Sequence, residues 1–333
     1  MIAREVLNGK KILVTGAGGF IGSCLTEKLL KSKADLTVLV RYTSHSGRGW
    51  LDSLSERLTA GLRVVFGDIR DADLCRLAVD GNHYIFHLAA QIAIPYSYIA
   101  PRDFINVNAL GSANLLQAAR SAKIKSFVHI STSEVYGSAQ YVPIDERHPQ
   151  VAQSPYAASK IAADKTAEAF HRSFRLPVIT VRPFNCFGPR QSPRAVLPTI
   201  IIQALRGKTI RLGNIHTRRD LNFVDDIAEG MIAAGFCRKA IGKTFNLATG
   251  VDHSIKELVE LVGEILGKKL TIKLENRRRR PAASEVTRLQ GSRLEAEKLF
   301  GYAPRTVFKD ALRKTIAFYE KNLTRYRKED YQL

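Results

Sequence analysis

Lys11-Ile12-Leu13-Val14-Thr15-Gly16-Ala17-Gly18-Gly19-Phe20-Ile21-Gly22 decides how the first half of this chain folds. Its first five residues are an apolar run of strand length that stops at glycines. A helical pattern follows, with Ile21, Leu25, Leu29 and Leu30 recurring on one face. Between the two, Gly16, Gly19 and Gly22 stand at Gly-x-x-Gly-x-x-Gly spacing. Such glycines let the backbone approach a pyrophosphate, which then sits at the positive end of the helix. A glycine-rich turn can also do no more than tighten a strand–helix junction. The strand–turn–helix context is what points to dinucleotide binding.

Working outward, strand-like runs recur at Leu36–Val40, Arg63–Phe66, Tyr84–Leu88, Phe127–Ile130 and Val178–Val181. Helical patterns separate them at about 71–80, 103–122 and 155–174. Strands alternating with helices predict a parallel sheet covered on both faces. After residue 183 the texture changes, with Pro183, Pro189, Pro193 and Pro198 crowding a loop-rich stretch. Helical patterns return at about 225–237, 254–266, 292–300 and 307–321. The expected fold is therefore α/β. It has a Rossmann-type doubly wound parallel sheet over 1–183 and a smaller C-terminal α/β substrate-binding domain over 184–333. Return of a stretch near 220–250 to the first domain is left open.

The 333 residues suffice for about two domains with cores of their own. With 45% hydrophobic and 25% charged residues, neither disorder nor a membrane protein is expected, because no apolar stretch reaches 18 residues. The N-terminus shows no secretory pattern. Cys24, Cys75, Cys186 and Cys237 are widely scattered, so neither a disulfide framework nor a metal site is indicated and a cytoplasmic protein with reduced thiols is expected. The formal charge of +20 is unusual. Apart from Arg277–Arg280 the basic residues are spread along the chain, without the interleaved aromatics of an RNA-binding sheet. A solvated basic surface, partly recruited to bind phosphates, is the simpler reading.

The acidic residue that commonly holds an adenine ribose is missing after the second strand. Arg41 stands there instead, which suits a 2′-phosphate. Asp68, ending the third strand with Ile69, is placed to meet the adenine edge. Its competing role is to cap the helix over Ala72–Val79. Tyr156 and Lys160 are four residues apart on a predicted helix, so phenol and ammonium share a face. A phenol of ordinary pKa about 10 is a poor base at neutral pH. A nearby ammonium and a nicotinium ring both favour the phenolate, which makes proton abstraction from an alcohol feasible. Ser131-Thr132-Ser133-Glu134-Val135-Tyr136-Gly137 follows an apolar strand and brings hydroxyls and a carboxylate to the carboxyl edge of the sheet.

The glycine motif, His87-Leu88-Ala89-Ala90, the Ser-Thr-Ser-Glu-Val-Tyr-Gly segment and Tyr-x-x-x-Lys, in this order, resemble the extended short-chain dehydrogenase/reductase superfamily. The second half matches too, through Arg182-Pro183-Phe184-Asn185, Gly188-Pro189-Arg190, Arg219-Asp220, Val224-Asp225-Asp226 and Arg280-Pro281. More narrowly, Pro95-Tyr96-Ser97-Tyr98, Gln140–Glu146 and Arg190–Ala195 look like the 4,6-dehydratases of the legionaminic-acid pathway, which act on nucleotide-linked N-acetylglucosamine. The resemblance implies hydride-transfer chemistry at Thr132, Tyr156 and Lys160, with Ser133 and Glu134 beside them. It implies a tightly bound, recycled NAD or NADP held by Gly16, Gly19, Phe20, Ile21, Gly22, Arg41, Asp68, Ile69, Leu88, Ala89, Ala90, Tyr156 and Lys160, with Asn108 supporting the active-site helix. Asn185, Arg190, Arg219 and Arg280 would contact the sugar nucleotide, chiefly its diphosphate, which Arg grips bidentately.

Within that superfamily Glu134 discriminates among reactions. A 4,6-dehydratase oxidises C4, removes the acidified C5 proton and expels the C6 hydroxyl. Glu134 is the base expected for the second step. A 4-epimerase needs no such carboxylate. Dehydratases acting on nucleotide-linked glucose usually carry Asp-Glu where this chain has Ser133-Glu134, and serine is a far weaker acid. Nucleotide-glucuronate decarboxylases also show Ser-Glu, so decarboxylation is the leading alternative, then 4-epimerisation. A non-catalytic, nucleic-acid-associated member is the remote one. The resemblance and the surplus apolar residues Leu110, Leu115, Leu116, Ala162, Ala163, Ala167 and Phe170 predict a homodimer through the helices near 103–122 and 155–174, with no membrane partner.

Overall fold

The computed structural model describes residues 4–44 and 47–326. Its strands, in chain order, are β1 (Lys11–Thr15), β2 (Asp35–Val40), β3 (Arg63–Phe66), β4 (Tyr84–His87), β5 (Ser126–Ile130), β6 (Val178–Pro183), β7 (Asn185–Phe187), β8 (Thr209–Leu212), β9 (Arg218–Phe223), β10 (Thr244–Leu247), β11 (Asp252–Ser254), β12 (Thr271–Leu274) and β13 (Arg288–Leu289). Seven form one parallel sheet in the order β10-β6-β5-β4-β1-β2-β3. This is the doubly wound α/β arrangement expected from the alternating pattern. The chain runs outward through β1, β2 and β3, then crosses back to β4 on the other side of β1. Ligands of such sheets bind outside the carboxyl ends of the strands, where the order reverses. The register brings Thr15 level with Leu39 on one side and His87 on the other, so the three strand ends open onto one crevice.

Alternation along the strands builds two cores. Ile12 and Val14 pack with the helices Phe20–Lys31 and Val224–Phe236 on one face, as seen in Leu25, Leu29, Ile227 and Met231. Leu13 faces the other way, with Ile85 and Phe127, against Ala78, Leu115, Leu116 and Ala167 of the helices Ala72–Val79, Gly111–Ser121 and Pro155–Phe174. A separate core joins Ile200, Leu258, Val262, Leu312 and Tyr319 of the helices Val196–Arg206, Ile255–Leu266 and Phe308–Lys321. Beside it, β9 pairs with β7, β11 and β13, and β8 pairs with β12. Arg218 and Arg288 both pair with Asp252, tying β9 and β13 to β11.

Several elements depart from the sequence reading. The helix Val196–Arg206 lies where the crowded prolines suggested a loop. Pro198 falls in its first turn, where the missing N–H costs no helical bond. The stretch 103–122 is interrupted by a π-helical turn at Ile105–Leu110 before Gly111–Ser121. Leu115, Leu116, Ala163 and Ala167 are fully buried in the chain's own core, so they are not the surplus apolar surface assigned to a dimer. Leu110 and Ile105 are 56% and 40% exposed and remain free for that role.

Candidate active site

The glycine turn closes tightly. Gly16 has φ +70°, a left-handed conformation that favours glycine, and a Cβ there would stand 2.7 Å from the Ala89 nitrogen. A Cβ on Gly22 would run into the Gly16 carbonyl oxygen. Strand ends β1 and β4 are stitched together: Thr15 Oγ1 lies 2.8 Å from His87 Nδ1 and accepts from the Ala89 N–H at 3.2 Å. Ser112 donates to the Asn108 carbonyl, so His87 Nε2 is the donor in its 2.9 Å bond to Ser112 and Nδ1 accepts from Thr15. Burial holds His87 neutral, well below its ordinary pKa. Gly19 begins the Phe20–Lys31 helix with no side-chain cap and no acidic residue in the first turn. Its free N–H groups therefore fit a pyrophosphate. Phe20 and Ile21 are half-buried and pack into the cores, and Leu88, Ala89 and Ala90 line the crevice beyond β4 half-buried.

At the adenine end Arg41 is exposed just beyond β2. Asp68 is not the helix cap: Asp71 takes that position and accepts from the Asp73 and Leu74 N–H groups. Asp68 instead accepts from Arg70 Nε at 3.0 Å, Arg70 Nη2 at 2.8 Å and the Arg70 N–H at 2.9 Å. These bonds hold its carboxyl below the usual range despite partial burial. Ile69 is buried against Gly111, whose Cβ position it would occupy.

Beyond β5, Thr132 caps the short turn Ser133–Tyr136, its Oγ1 accepting from the Glu134 N–H at 3.2 Å. Across from it, Ser154 and Pro155 start the long helix that carries Tyr156 and Lys160. Burial pushes the Tyr156 phenol well above its ordinary value; a hydrogen bond with Thr132 works against that, and Glu134 adds to it. Lys160 is buried and donates from Nζ to the Ile130 carbonyl at 2.7 Å. Burial brings its ammonium down to about 8, against the attraction of Asp164. The π-helical turn projects Asn108 into the chain: Nδ2 donates to the Gln91 carbonyl and to Ser159 Oγ, both at 2.9 Å, and Oδ1 accepts from the Gln91 N–H at 2.8 Å. Asn108 thus braces the Tyr156 helix, because Ser159 in turn donates to the Tyr156 carbonyl at 2.7 Å.

Glu134 and Ser133 are buried. The Glu134 carboxylate makes no side-chain hydrogen bond among the described residues, and it pairs with Arg280 Nη1 at 3.7 Å. That Nη1 is itself buried without a hydrogen-bond partner. Arg219 belongs to the same group: buried, it lies 4.0 Å from Glu285, and burial lowers its pKa while Glu134 raises it. Asn185 leaves its Oδ1 buried and unpartnered. Arg190 pairs elsewhere, donating to Glu27 at 2.7 Å and to Ser23 at 3.4 Å on the first helix. Asp220, next to Arg219, is a pin. It accepts from the Thr249, Gly250 and Gly291 N–H groups and the Thr249 hydroxyl.

The segment Pro95–Tyr98 closes over Tyr156. Ile94 and Phe104 form a small core with it, Phe104 packs edge-on to Tyr156 at 6.2 Å, and Tyr98 bonds Ser284 at 2.6 Å near Arg280 in sequence. Sequence reasoning passed over Asp164 and His129 behind Lys160, and it took Arg182 only as part of the family resemblance, whereas Arg182 pairs with Asp164. The signal was available, since Asp164 continues the four-residue spacing of Tyr156 and Lys160. Among the described residues no cluster of His, Cys, Asp and Glu could hold a metal, and no helix is long and apolar enough to cross a membrane.

Comparison with known proteins shows the family. The profile of the GDP-mannose 4,6 dehydratase family matches residues 13–315. A dTDP-glucose 4,6-dehydratase of Streptomyces niveus is 32% identical over 319 residues, covering 94% of this chain and 93% of its own. A UDP-glucose 4-epimerase of Mycolicibacterium smegmatis is 32% identical over 316 residues, covering 93% and 98%. The crystal structure of DesIV, a dTDP-glucose 4,6-dehydratase from Streptomyces venezuelae solved with NAD bound, superposes with a TM-score of 0.85 at 31% identity, covering 95% of this chain and 98% of that one.

Proposed function

The chain belongs to the GDP-mannose 4,6 dehydratase family, and within it we propose a 4,6-dehydratase acting on nucleotide-linked N-acetylglucosamine, with UDP or GDP as the nucleotide. One observation carries the reaction: Glu134 is buried beside the Thr132–Tyr156 pair, and its carboxylate makes no side-chain hydrogen bond among the described residues. A site that only inverts C4 has no use for such a base. The substrate rests on the segments resembling legionaminic-pathway dehydratases, of which Pro95–Tyr98 packs on Tyr156.

Tyr156, through its hydrogen bond with Thr132, takes the proton of the sugar O4. A dinucleotide held by the Gly16–Gly22 turn, Tyr156 and Lys160 would supply the hydride acceptor for C4 oxidation and the hydride donor for C6, and its positive ring would favour the Tyr156 phenolate. The C4 ketone acidifies C5–H and Glu134 takes that proton. The C6 hydroxyl takes up the proton that Tyr156 removed from O4, with Ser133 as relay, and leaves as water, and Glu134 returns its proton to C5 when hydride reaches C6. Arg219, Arg280 and Asn185 are the proposed grips on the sugar nucleotide. Arg190 serves the diphosphate only by leaving Glu27. The sheet with its helices, 1–183 together with β10, is the proposed dinucleotide-binding domain, and most of 184–333 the sugar-nucleotide domain. The dinucleotide is NAD or NADP. Arg41, exposed beyond β2, supports a 2′-phosphate, and DesIV supports NAD. The proposed assembly is a cytoplasmic homodimer through the faces carrying Ile105 and Leu110.

Ser133 supports a second reading, decarboxylation of a nucleotide glucuronate, because that reaction needs no strong acid for a leaving hydroxyl. Incubation with a panel of nucleotide sugars separates the outcomes by product mass. Loss of water from nucleotide-N-acetylglucosamine is expected. Loss of carbon dioxide from a glucuronate, or an isomer of unchanged mass, would overturn the dehydratase reading.

A further inference from the structure

Behind the proposed chemistry lies a cluster of buried charge that it does not use. Asp164 follows Lys160 by one helical turn, so Tyr156, Lys160 and Asp164 stand in a row on one helix. Asp164 is buried, and every partner it has comes from another element. Its Oδ1 accepts from His129 Nε2 on β5 at 3.1 Å. Its Oδ2 accepts from Arg182 on β6, through Nε at 3.1 Å and Nη2 at 3.0 Å, and from Gln150 Nε2 at 3.3 Å. Arg182 also donates to the Tyr136 hydroxyl at 2.9 Å, which donates onward to Asn246 at 2.7 Å. These donors hold the Asp164 carboxyl down to about 2 although burial opposes it. It is a fixed anion.

Lys160 faces Tyr156 and Asp164 from its own helix, His87 from β4, and His129 and the Ile130 carbonyl from β5. Neither histidine supplies charge. Both are fully buried and held below their ordinary pKa, and His87 has both ring nitrogens engaged. Among the described residues Asp164 is therefore the one negative group set against the burial of the ammonium. It stands back from Tyr156 by two helical turns, about 12 Å along the helix, and Arg182 and Gln150 beside it line a cavity of about 390 Å³ with Val178, Thr180 and Thr244.

Resting on the dehydratase reading, we propose that Asp164 is a positioning residue, a buried carboxylate locked by Arg182 and His129 that keeps Lys160 charged beside Tyr156. A lysine is charged below its pKa, so losing the neighbouring anion moves that pKa down and narrows the pH range in which the pair works. A nearby opposite charge typically shifts a pKa by about 1–3 units, each unit a tenfold change in the charged fraction on the alkaline side.

The test is the single-turnover rate of sugar C4 oxidation as a function of pH. It compares wild type, Asp164→Asn, Asp164→Glu and the double variant Asp164→Asn/Arg182→Met. The double variant removes both charges of the buried pair, so no orphan guanidinium remains to unfold it. Both Asn variants should move the alkaline limb down by at least about one unit, with rates near pH 6 within a few-fold of wild type and KM unchanged. Asp164→Glu should restore the limb. An unmoved limb in the folded variants, or an equal loss at every pH, overturns the proposal. Absence of any sugar-dependent oxidation by wild type would instead overturn the dehydratase reading, and the proposal with it.

Discussion

Glu134→Gln divides the proposed reaction at its middle. The substitution keeps the shape of the side chain and removes its capacity to take the C5 proton. Tyr156, Thr132 and Lys160 are untouched, so C4 oxidation proceeds and the near-ultraviolet absorbance of the reduced dinucleotide builds up without release of the 6-deoxy product. Loss of a general base costs about 10²–10⁴ in rate, or roughly 3–5 kcal/mol of barrier. The structural cost is smaller. The carboxylate makes no side-chain hydrogen bond among the described residues, and its contact with Arg280, 26% exposed, is a 3.7 Å ion pair. Because Glu134 is buried, the substitution both loses the ion pair and relieves a buried charge, opposing effects that keep the expected change in melting temperature small. Tyr156→Phe is the control, since it suppresses oxidation itself and leaves no absorbance to accumulate. Mixing each variant with nucleotide-N-acetylglucosamine, reading absorbance and then product mass, separates the two steps. Dehydration by Glu134→Gln at the wild-type rate would refute the assignment of the base.

Gly16→Ala should cost at least about 1–2 kcal/mol from the left-handed backbone alone, before the collision with Ala89 is counted. The purified variant should melt lower and retain much less dinucleotide, measured by mass analysis of the released cofactor; full retention would contradict the site. Leu110→Lys places a charge on the exposed face of the proposed dimer and should leave a monomer at micromolar concentration by light scattering. A wild-type protein that is itself monomeric there removes the dimer.

What could be read along the chain is what local geometry dictates. The two-residue period of strands and the 3.6-residue period of helices are properties of neighbouring residues. Hence six of the sheet's seven strands, the glycine turn and the long helix with Tyr156 and Lys160 on one face were legible, while β10 was not read as a strand. Local pattern misled where it competed with context. Prolines tolerated in a first helical turn hid Val196–Arg206.

Pairing between distant segments lay beyond that reach, because a charge or an apolar side chain chooses its partner only after the chain has packed. Arg280 meets Glu134, Arg190 meets Glu27, and Asp164 meets His129 and Arg182, although no spacing in the sequence joins these residues. Leu115 and Leu116 looked the same as Leu110 by composition. The sheet buries the first two and leaves the third in solvent. Periodicity determined which residues share a face; burial and long-range ion pairing, which exist only in the packed chain, decided what that face meets.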